Sequence, residues 1–275
     1  VLGVNGLNKS YRSGGGLFGG KGRSVDALAG VSFSVRRGET VGIVGESGSG
    51  KSTAARCIAR LIEADSGQIM VEGVDIAPLT PRALRPVRRR MQMVFQDPFG
   101  SLNPRRTVGQ LISEGPIVHG VSAASAHSRT LELLELVGLE RRAAERFPHE
   151  FSGGQRQRIG LARALALEPA ILVADEPVSA LDVSVQDQVL RLLADIRNRL
   201  GLTVLFITHD LRVASQVCDS IVVMHKGRVV ESGPVAEVYA RPAHAYTQAL
   251  LAAVPGRQWG NDNEARTAAA TITAP

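Results

Sequence analysis

Two cysteines, Cys57 and Cys218, are all that 275 residues provide. That excludes a disulfide framework, and it excludes an iron–sulfur cluster held only by thiolates of this chain. Both lie in apolar stretches and are expected to be buried small hydrophobes. Aromatic residues make up only 4%, too few for the stacked platforms that grip single-stranded nucleic acid. No apolar run reaches the ~20 residues that span a bilayer. The longest candidate, residues 159–174, is broken by Arg163, Glu168 and Pro169. The opening residues do not follow the basic-then-apolar pattern of a secretory leader. The chain starts at Val1 and not Met, so a processed or excised piece of something longer is expected.

What is present reads as a folded protein. Apolar residues are 44% and charged residues 21%, the balance of a soluble globular chain. Its length suits one or two domains at about 150 residues each. A net charge of +6 permits an acidic partner without choosing one. Arg85, Arg88, Arg89 and Arg90 crowd together with no interleaved aromatics. They read first as a solvated helix face, with a phosphate or lipid surface as the alternative.

Residues 2–11 and 25–35 carry alternating apolar residues and are predicted strands. Between them, residues 13–23 are too glycine-rich for either regular element and read as a flexible hairpin extension. A buried strand is predicted at 40–44, a helix at about 51–61, a strand pair at 67–73 and a strand at 91–95. Residues 98–151 turn helical, with Leu131, Leu134, Leu136 and Val137 on one face. Helices at 153–167 and 184–200 then alternate with strands at 171–174, 203–207, 220–224 and 228–232. This order implies a mostly parallel sheet covered on both faces, interrupted by a helical insertion. The tail 256–275 has no periodicity and is expected to be flexible.

Two motifs carry chemistry. Gly45-Glu46-Ser47-Gly48-Ser49-Gly50-Lys51-Ser52, continuing to Thr53, matches the phosphate-loop pattern between a predicted strand and a predicted helix. Glycines let successive N–H groups turn inward on phosphate oxygens, and the helix start adds its positive dipole end. Lys51 would reach the outer phosphates, and the Ser52 hydroxyl would ligate Mg²⁺. The second motif is Asp175-Glu176-Pro177, at the carboxyl end of a buried strand where parallel sheets bind ligands. Asp175 suits Mg²⁺, and Glu176 suits a water poised for attack. Two carboxylates capping a turn would be the plain alternative.

A third segment decides between readings. Phe151-Ser152-Gly153-Gly154-Gln155 resembles the signature of ATP-binding cassette (ABC) ATPases, with Phe in place of the usual Leu. Alone, it would be an ordinary turn and helix start. The remaining family elements follow in order. Tyr11 stands where the adenine-stacking aromatic is found, although an aromatic on an edge strand needs no ligand to explain it. Gln96 matches the Q-loop glutamine, Ser179-Ala180-Leu181-Asp182 the D-loop, and His209 the switch histidine.

The resemblance implies an α/β fold: a RecA-like P-loop NTPase core with an antiparallel β subdomain and an inserted helical subdomain. One ABC ATPase domain is expected over 1–255, with the helical part at about 97–158 and an importer-type segment at about 241–255. It implies ATP and Mg²⁺ as ligands. Glu176, His209, Gln96 and Lys51 would be the catalytic set, and Ser52, Gln96 and Asp175 the metal set. Tyr11, residues 45–53, Ser152 to Gln155 and Asp182 would contact nucleotide, with Ser152 and Gly154 acting on a partner cassette's γ-phosphate.

Three further stretches resemble the dipeptide, oligopeptide and nickel importers. These are Val94-Phe95-Gln96-Asp97-Pro98 running into Ser101 to Arg105, the long match from Asp175 to Gln186, and residues 241–251. Leu17 and Phe18 in the glycine-rich extension are also similar to that group. The implied partners are a second ABC cassette (a separate subunit or the other half of a fused chain), two transmembrane permease subunits and an extracytoplasmic substrate-binding protein. No nucleic acid is expected. The place is the cytoplasmic face of the cytoplasmic membrane, held peripherally. Peptide is the first expectation for cargo; nickel, haem or another small solute would leave the sequence much the same. A soluble ABC ATPase of DNA or ribosomes and an exporter subunit are the competing classes.

Overall fold

A computed structural model describes residues 1–12, 24–97 and 100–254. The extension 13–23 with Leu17 and Phe18, Pro98, and the tail 256–275 lie outside the described residues.

Six strands form the main sheet: β3 (Thr40–Val44), β6 (Met91–Val94), β7 (Ile171–Asp175), β8 (Thr203–Thr208), β9 (Ser220–His225) and β10 (Arg228–Pro234). Their spatial order is β10-β9-β3-β8-β7-β6. All neighbours run parallel except β10, which returns antiparallel beside β9. Every position of β3, β7 and β8 is buried, as expected of strands covered on both faces.

The pleat sorts these residues into two cores. Ile171, Val173, Leu205 and Ile207 face one core, and Leu172, Ala174, Val204 and Phe206 face the other. Period-2 alternation does this, and the buried polar residues of these strands, Thr40, Asp175, Thr203 and Thr208, stand at strand ends. The first core is closed by α1 (Lys51–Ile58) and by an antiparallel sheet of order β2-β1-β4-β5. That sheet comprises β1 (Leu2–Arg12), β2 (Ser24–Val35), β4 (Ser66–Val71) and β5 (Val74–Asp75). β1 is therefore an interior strand and not the edge strand read from the sequence. β4 pairing along β1 stops at Asn8, so only the Tyr11 end lacks a neighbour on that side.

The second core is closed by helices. The arginine-rich α2 (Arg85–Arg90) stays outside it, with no buried residue. The helical region holds α3 (Val108–Val118), α4 (Ala123–Leu136) and α5 (Gly153–Leu165). Thr107, Ser122 and Ser152 cap these three helices by accepting a backbone N–H three residues on. α5 is continuous across residue 158, so the boundary read from sequence falls inside a helix. α6 (Val183–Leu200) and α7 (Leu211–Val217) follow β7 and β8, and α8 (Val235–Ala240) and α9 (Ala245–Ala252) follow β10.

α1 ends at Ile58, three residues before the sequence expectation. Arg60 turns left-handed at φ 53°. The Leu61 N–H then donates to the Arg56 carbonyl at 2.9 Å and the Arg60 N–H to the Cys57 carbonyl at 3.0 Å. This is a helix stop of the type usually made by glycine.

Register fixes the position of the site. Val44 pairs with Thr208, Asp175 with Ile207, and Val94 with Ala174. The strands therefore end level, and the residues just beyond them share one edge.

Candidate functional site

The phosphate loop joins β3 to α1 along that edge. Its glycines answer close backbone approaches. A Cβ on Gly45 would lie 2.2 Å from the Met224 carbonyl oxygen, and one on Gly50 would lie 2.4 Å from that of Ala27. Gly50 also sits at φ 102° and caps α1 with no side-chain hydrogen bond, so the first N–H groups of α1 are not closed by a capping side chain. The Ser49 hydroxyl is buried without a partner among the described residues.

Lys51 is 4% exposed. Its Nζ donates to the carbonyls of Gly45 and Glu46, at 2.8 Å each. Burial pulls its pKa below the usual lysine value, and the Glu176 and Asp175 carboxylates oppose that shift. A buried ammonium held by two carbonyls, beside uncapped amides, suits an anion.

Asp175, 2% exposed, accepts the Ser52 hydroxyl at 3.0 Å. Burial raises its pKa, partly offset by that hydrogen bond. These are hard oxygen donors side by side, the kind a Mg²⁺ ion takes.

Glu176 adopts φ 46°, a left-handed conformation uncommon for a side chain of this size. Its N–H donates to the Ile207 carbonyl at 3.0 Å, which holds the turn. Its two carboxylate oxygens are held separately. Gln96 Nε2 donates to Oε2 at 2.9 Å, and His209 Nδ1 approaches Oε1 at 3.2 Å. The ends of β6, β7 and β8 thus bring Gln96, Glu176 and His209 together, although they lie far apart in the sequence.

These three side chains, with Glu46 to Gly48 and Gly50 to Thr53, line one cavity of about 880 Å³. Gly45 and Asp175 are not among the residues that line it, although Lys51 and Ser52, which they bond, are. Four lining residues belong to no sequence motif, Val25, Asp26 and Ala27 of β2 and Lys226 in the β9–β10 turn; a fifth, Leu250 of α9, lies in the stretch 241–251 that reads as importer-like and not as part of this cleft. Nothing in their local sequence points to this cleft.

The remaining sequence candidates lie elsewhere. Ser152 and Gln155 close the start of α5 by a reciprocal capping box, at 3.4 Å and 3.0 Å. A Cβ on Gly153 would approach Leu181, and one on Gly154 would approach Val185, so this segment packs on the stretch around Asp182. Asp182 precedes α6 without a side-chain cap bond. Tyr11 is 46% exposed and is not part of the cavity wall, but it pairs with Val25, which is. The Lys9 ammonium sits 5.7 Å from its ring centroid. Both cysteines are buried, and burial raises both thiol pKa values, that of Cys57 to about 11.

A family profile described as "ABC transporter" matches residues 28–179, more than half of the chain. The chain belongs to the ABC transporter family. A Brucella ovis protein named as a peptide import ATP-binding protein is 51% identical over 268 residues, 97% of this chain and 81% of that one. The oligopeptide transport ATP-binding protein AppF of Bacillus subtilis is 49% identical over 257 residues, 93% of this chain and 78% of its own length. Among solved structures, the ATP-binding cassette MJ0796, dimeric in a post-hydrolysis state with ADP and Pi, superposes with a TM-score of 0.75 at 31% identity. That match covers 86% of this chain and 99% of MJ0796. The α/β fold is thus the P-loop NTPase fold of ABC ATPases, and the chain is an ATPase cassette of that family. Among the described residues, no helix is long and apolar enough to cross a membrane.

Proposed function

We propose that this cassette is the motor subunit of an importer that takes up peptides, held on the cytoplasmic face of the cytoplasmic membrane. The observation that carries the catalytic reading is the Glu176 carboxylate, bonded by Gln96 and approached by His209 Nδ1 at the lip of a phosphate-loop cavity. The peptide assignment is supported by the names of the Brucella and Bacillus relatives.

In this reading Lys51 and the loop amides of residues 45–53 hold the β- and γ-phosphates. Glu176 accepts a proton from the attacking water, while the Gln96 hydrogen bond and the nearby His209 ring orient the carboxylate. His209 and Gln96 then bridge that base to the γ-phosphate. Ser52 and Asp175, with Gln96, would hold Mg²⁺, which would offset phosphate charge. Tyr11 would cover the adenine from beside Val25. Ser152 to Gln155 and Asp182, away from the chain's own cleft, would serve a second cassette, a reading that the dimeric state of MJ0796 supports.

The proposed domain is 1–255, with a helical part that starts at about 97 and runs into α5, and an importer segment at about 241–255. A cytoplasmic helix of one of the two permease subunits would dock near residues 96–106 and 145–150, and an extracytoplasmic binding protein would deliver the cargo. Replacement of Glu176 by Gln tests the core of the reading. ATP binding should persist while turnover falls by about 10²-fold or more, the usual weight of a general base. Unchanged turnover would end the assignment.

A further inference from the structure

The importer-type segment 241–251 has a structural role that the nucleotide motifs do not explain. Glu231 of β10 accepts the N–H groups of Ala243 at 2.7 Å and His244 at 3.1 Å. His244 Nδ1 then accepts the Tyr246 N–H at 3.1 Å and caps α9. Gln248 Nε2 donates back to the Pro242 carbonyl at 2.9 Å. Thr247 and Leu251 are buried, so one face of α9 is anchored to the fold.

Tyr246 extends from this anchored helix toward the phosphate loop. Its ring stacks on His225, the last residue of β9, with centroids 3.9 Å apart and planes 15° apart. Its hydroxyl oxygen accepts the Glu46 N–H at 3.1 Å. One turn further, the Gly227 N–H donates to the Ser49 carbonyl at 3.0 Å. The β9–β10 turn therefore holds the loop at two points, directly at Ser49 and through Tyr246 at Glu46. Leu250, one helical turn beyond Tyr246, lines the nucleotide cavity itself.

We propose that Tyr246 is a positioning residue for the nucleotide site: α9 straps the phosphate loop to the β9–β10 turn and presets the amides that meet the phosphates. Glu46 is fixed on both sides, since its N–H meets Tyr246 while its carbonyl accepts Lys51. The inference rests on the nucleotide-site reading above. It also gives the importer-type segment a task inside the cassette, separate from any contact with membrane subunits.

The test is titration of the full chain with ATPγS and Mg²⁺. Tyr246→Phe keeps the ring and its stack and removes only the hydroxyl. Affinity should fall about three- to ten-fold, the net worth of one hydrogen bond, with an unchanged melting temperature. Tyr246→Ala, which also loses the stack, should fall further. Tyr239→Phe is the control, because that hydroxyl donates to the Leu211 carbonyl at 2.8 Å outside the cavity. It should lower the melting temperature and leave affinity unchanged. Wild-type affinity in Tyr246→Phe would overturn the strap. So would an affinity loss that Tyr239→Phe reproduces, since that would be general destabilisation. Failure of the wild-type chain to bind ATPγS would overturn the nucleotide site, and the strap with it.

Discussion

Three glycines of α5 face different surroundings, and alanine at each gives a graded test of how the signature segment packs. A Cβ at Gly160 meets nothing within 4 Å. Alanine there should stabilise by about 0.5–1 kcal/mol, the ordinary helix-interior preference over glycine. At Gly153 the new atom would lie 3.3 Å from Leu181 Cδ2, a mobile side-chain end, so the effect should be close to zero. At Gly154 it would lie 2.3 Å from Val185 Cγ1, a β-branched side chain on α6 with few other rotamers. Something must move there, and overpacking of this kind costs about 1–3 kcal/mol. Urea unfolding at constant m-value measures each difference. The decisive comparison is Gly154→Ala combined with Val185→Ala. Removing the valine methyls should restore most of the loss, giving a coupling of about 1 kcal/mol or more for residues in contact. ATPase rate should follow the same order, since the segment's position depends on this contact. A Gly154→Ala variant as stable as Gly153→Ala, or one that Val185→Ala does not restore, would refute the argument.

Glu72 accepts Arg90 Nε and Nη2 and Arg37 Nη2, and these bonds hold its pKa at about 2, down from 4.5. A depressed carboxylate pKa stabilises the fold above 4.5 and loses that contribution as pH falls toward 2. Both arginines are well exposed, so screening limits the effect of Glu72→Gln to about 1 kcal/mol at neutral pH. Stability curves of variant and wild type should converge near pH 2; a constant gap would be the contrary result. Arg105→Glu on the proposed permease-docking face should weaken capture of membrane subunits from solubilised membranes while free-cassette ATPase is kept. Undiminished capture and coupling would remove that face from the docking surface. Arg106→Glu should act in the same direction and also lose the bridge to Glu114 at 2.6 Å.

Most of the residues that meet at the lip of the cavity were legible in the sequence. Short apolar strands followed at once by chemically distinctive residues say what lies at strand ends, and parallel register makes those ends level. Glu176 is read from its place at a strand end, whereas Gln96 and His209 are named by their resemblance to family motifs; none of the three needs knowledge of sheet order. Their meeting does need it, because β6, β7 and β8 are neighbours only in space. Val25 to Ala27, Lys226 and Leu250 carried no local signal of the cavity, even though Leu250 lies in the importer-like stretch, since each joins it through tertiary packing of a strand, turn or helix. The early stop of α1 was hidden for a similar reason. An arginine took the left-handed position where glycine would have announced the end. β1 was misread as an edge strand because alternation reports one buried face and says nothing of neighbours in the sheet plane.

The two halves of the site differ in how much must change when phosphate arrives. Gln96 already bonds one Glu176 oxygen and His209 Nδ1 lies 3.2 Å from the other, so the proposed base would need little reorganisation to be oriented. Lys51 is in the opposite condition. Its ammonium is buried and satisfied by carbonyls of its own loop, and burial pulls its pKa down. A phosphate oxygen would supply the opposite charge that those neutral carbonyls lack, raising that pKa again. Any such exchange draws on the Glu46 carbonyl, and therefore on a loop residue whose N–H is bonded to Tyr246. If the loop end were free, it could follow the ammonium and blunt the gain on binding. Held by Tyr246 and Gly227, the loop stays where its amides converge, and the charge of Lys51 moves instead. Weak binding in Tyr246→Phe with the Lys51 environment otherwise intact would show this division directly; equal binding would mean the loop holds its shape without the strap.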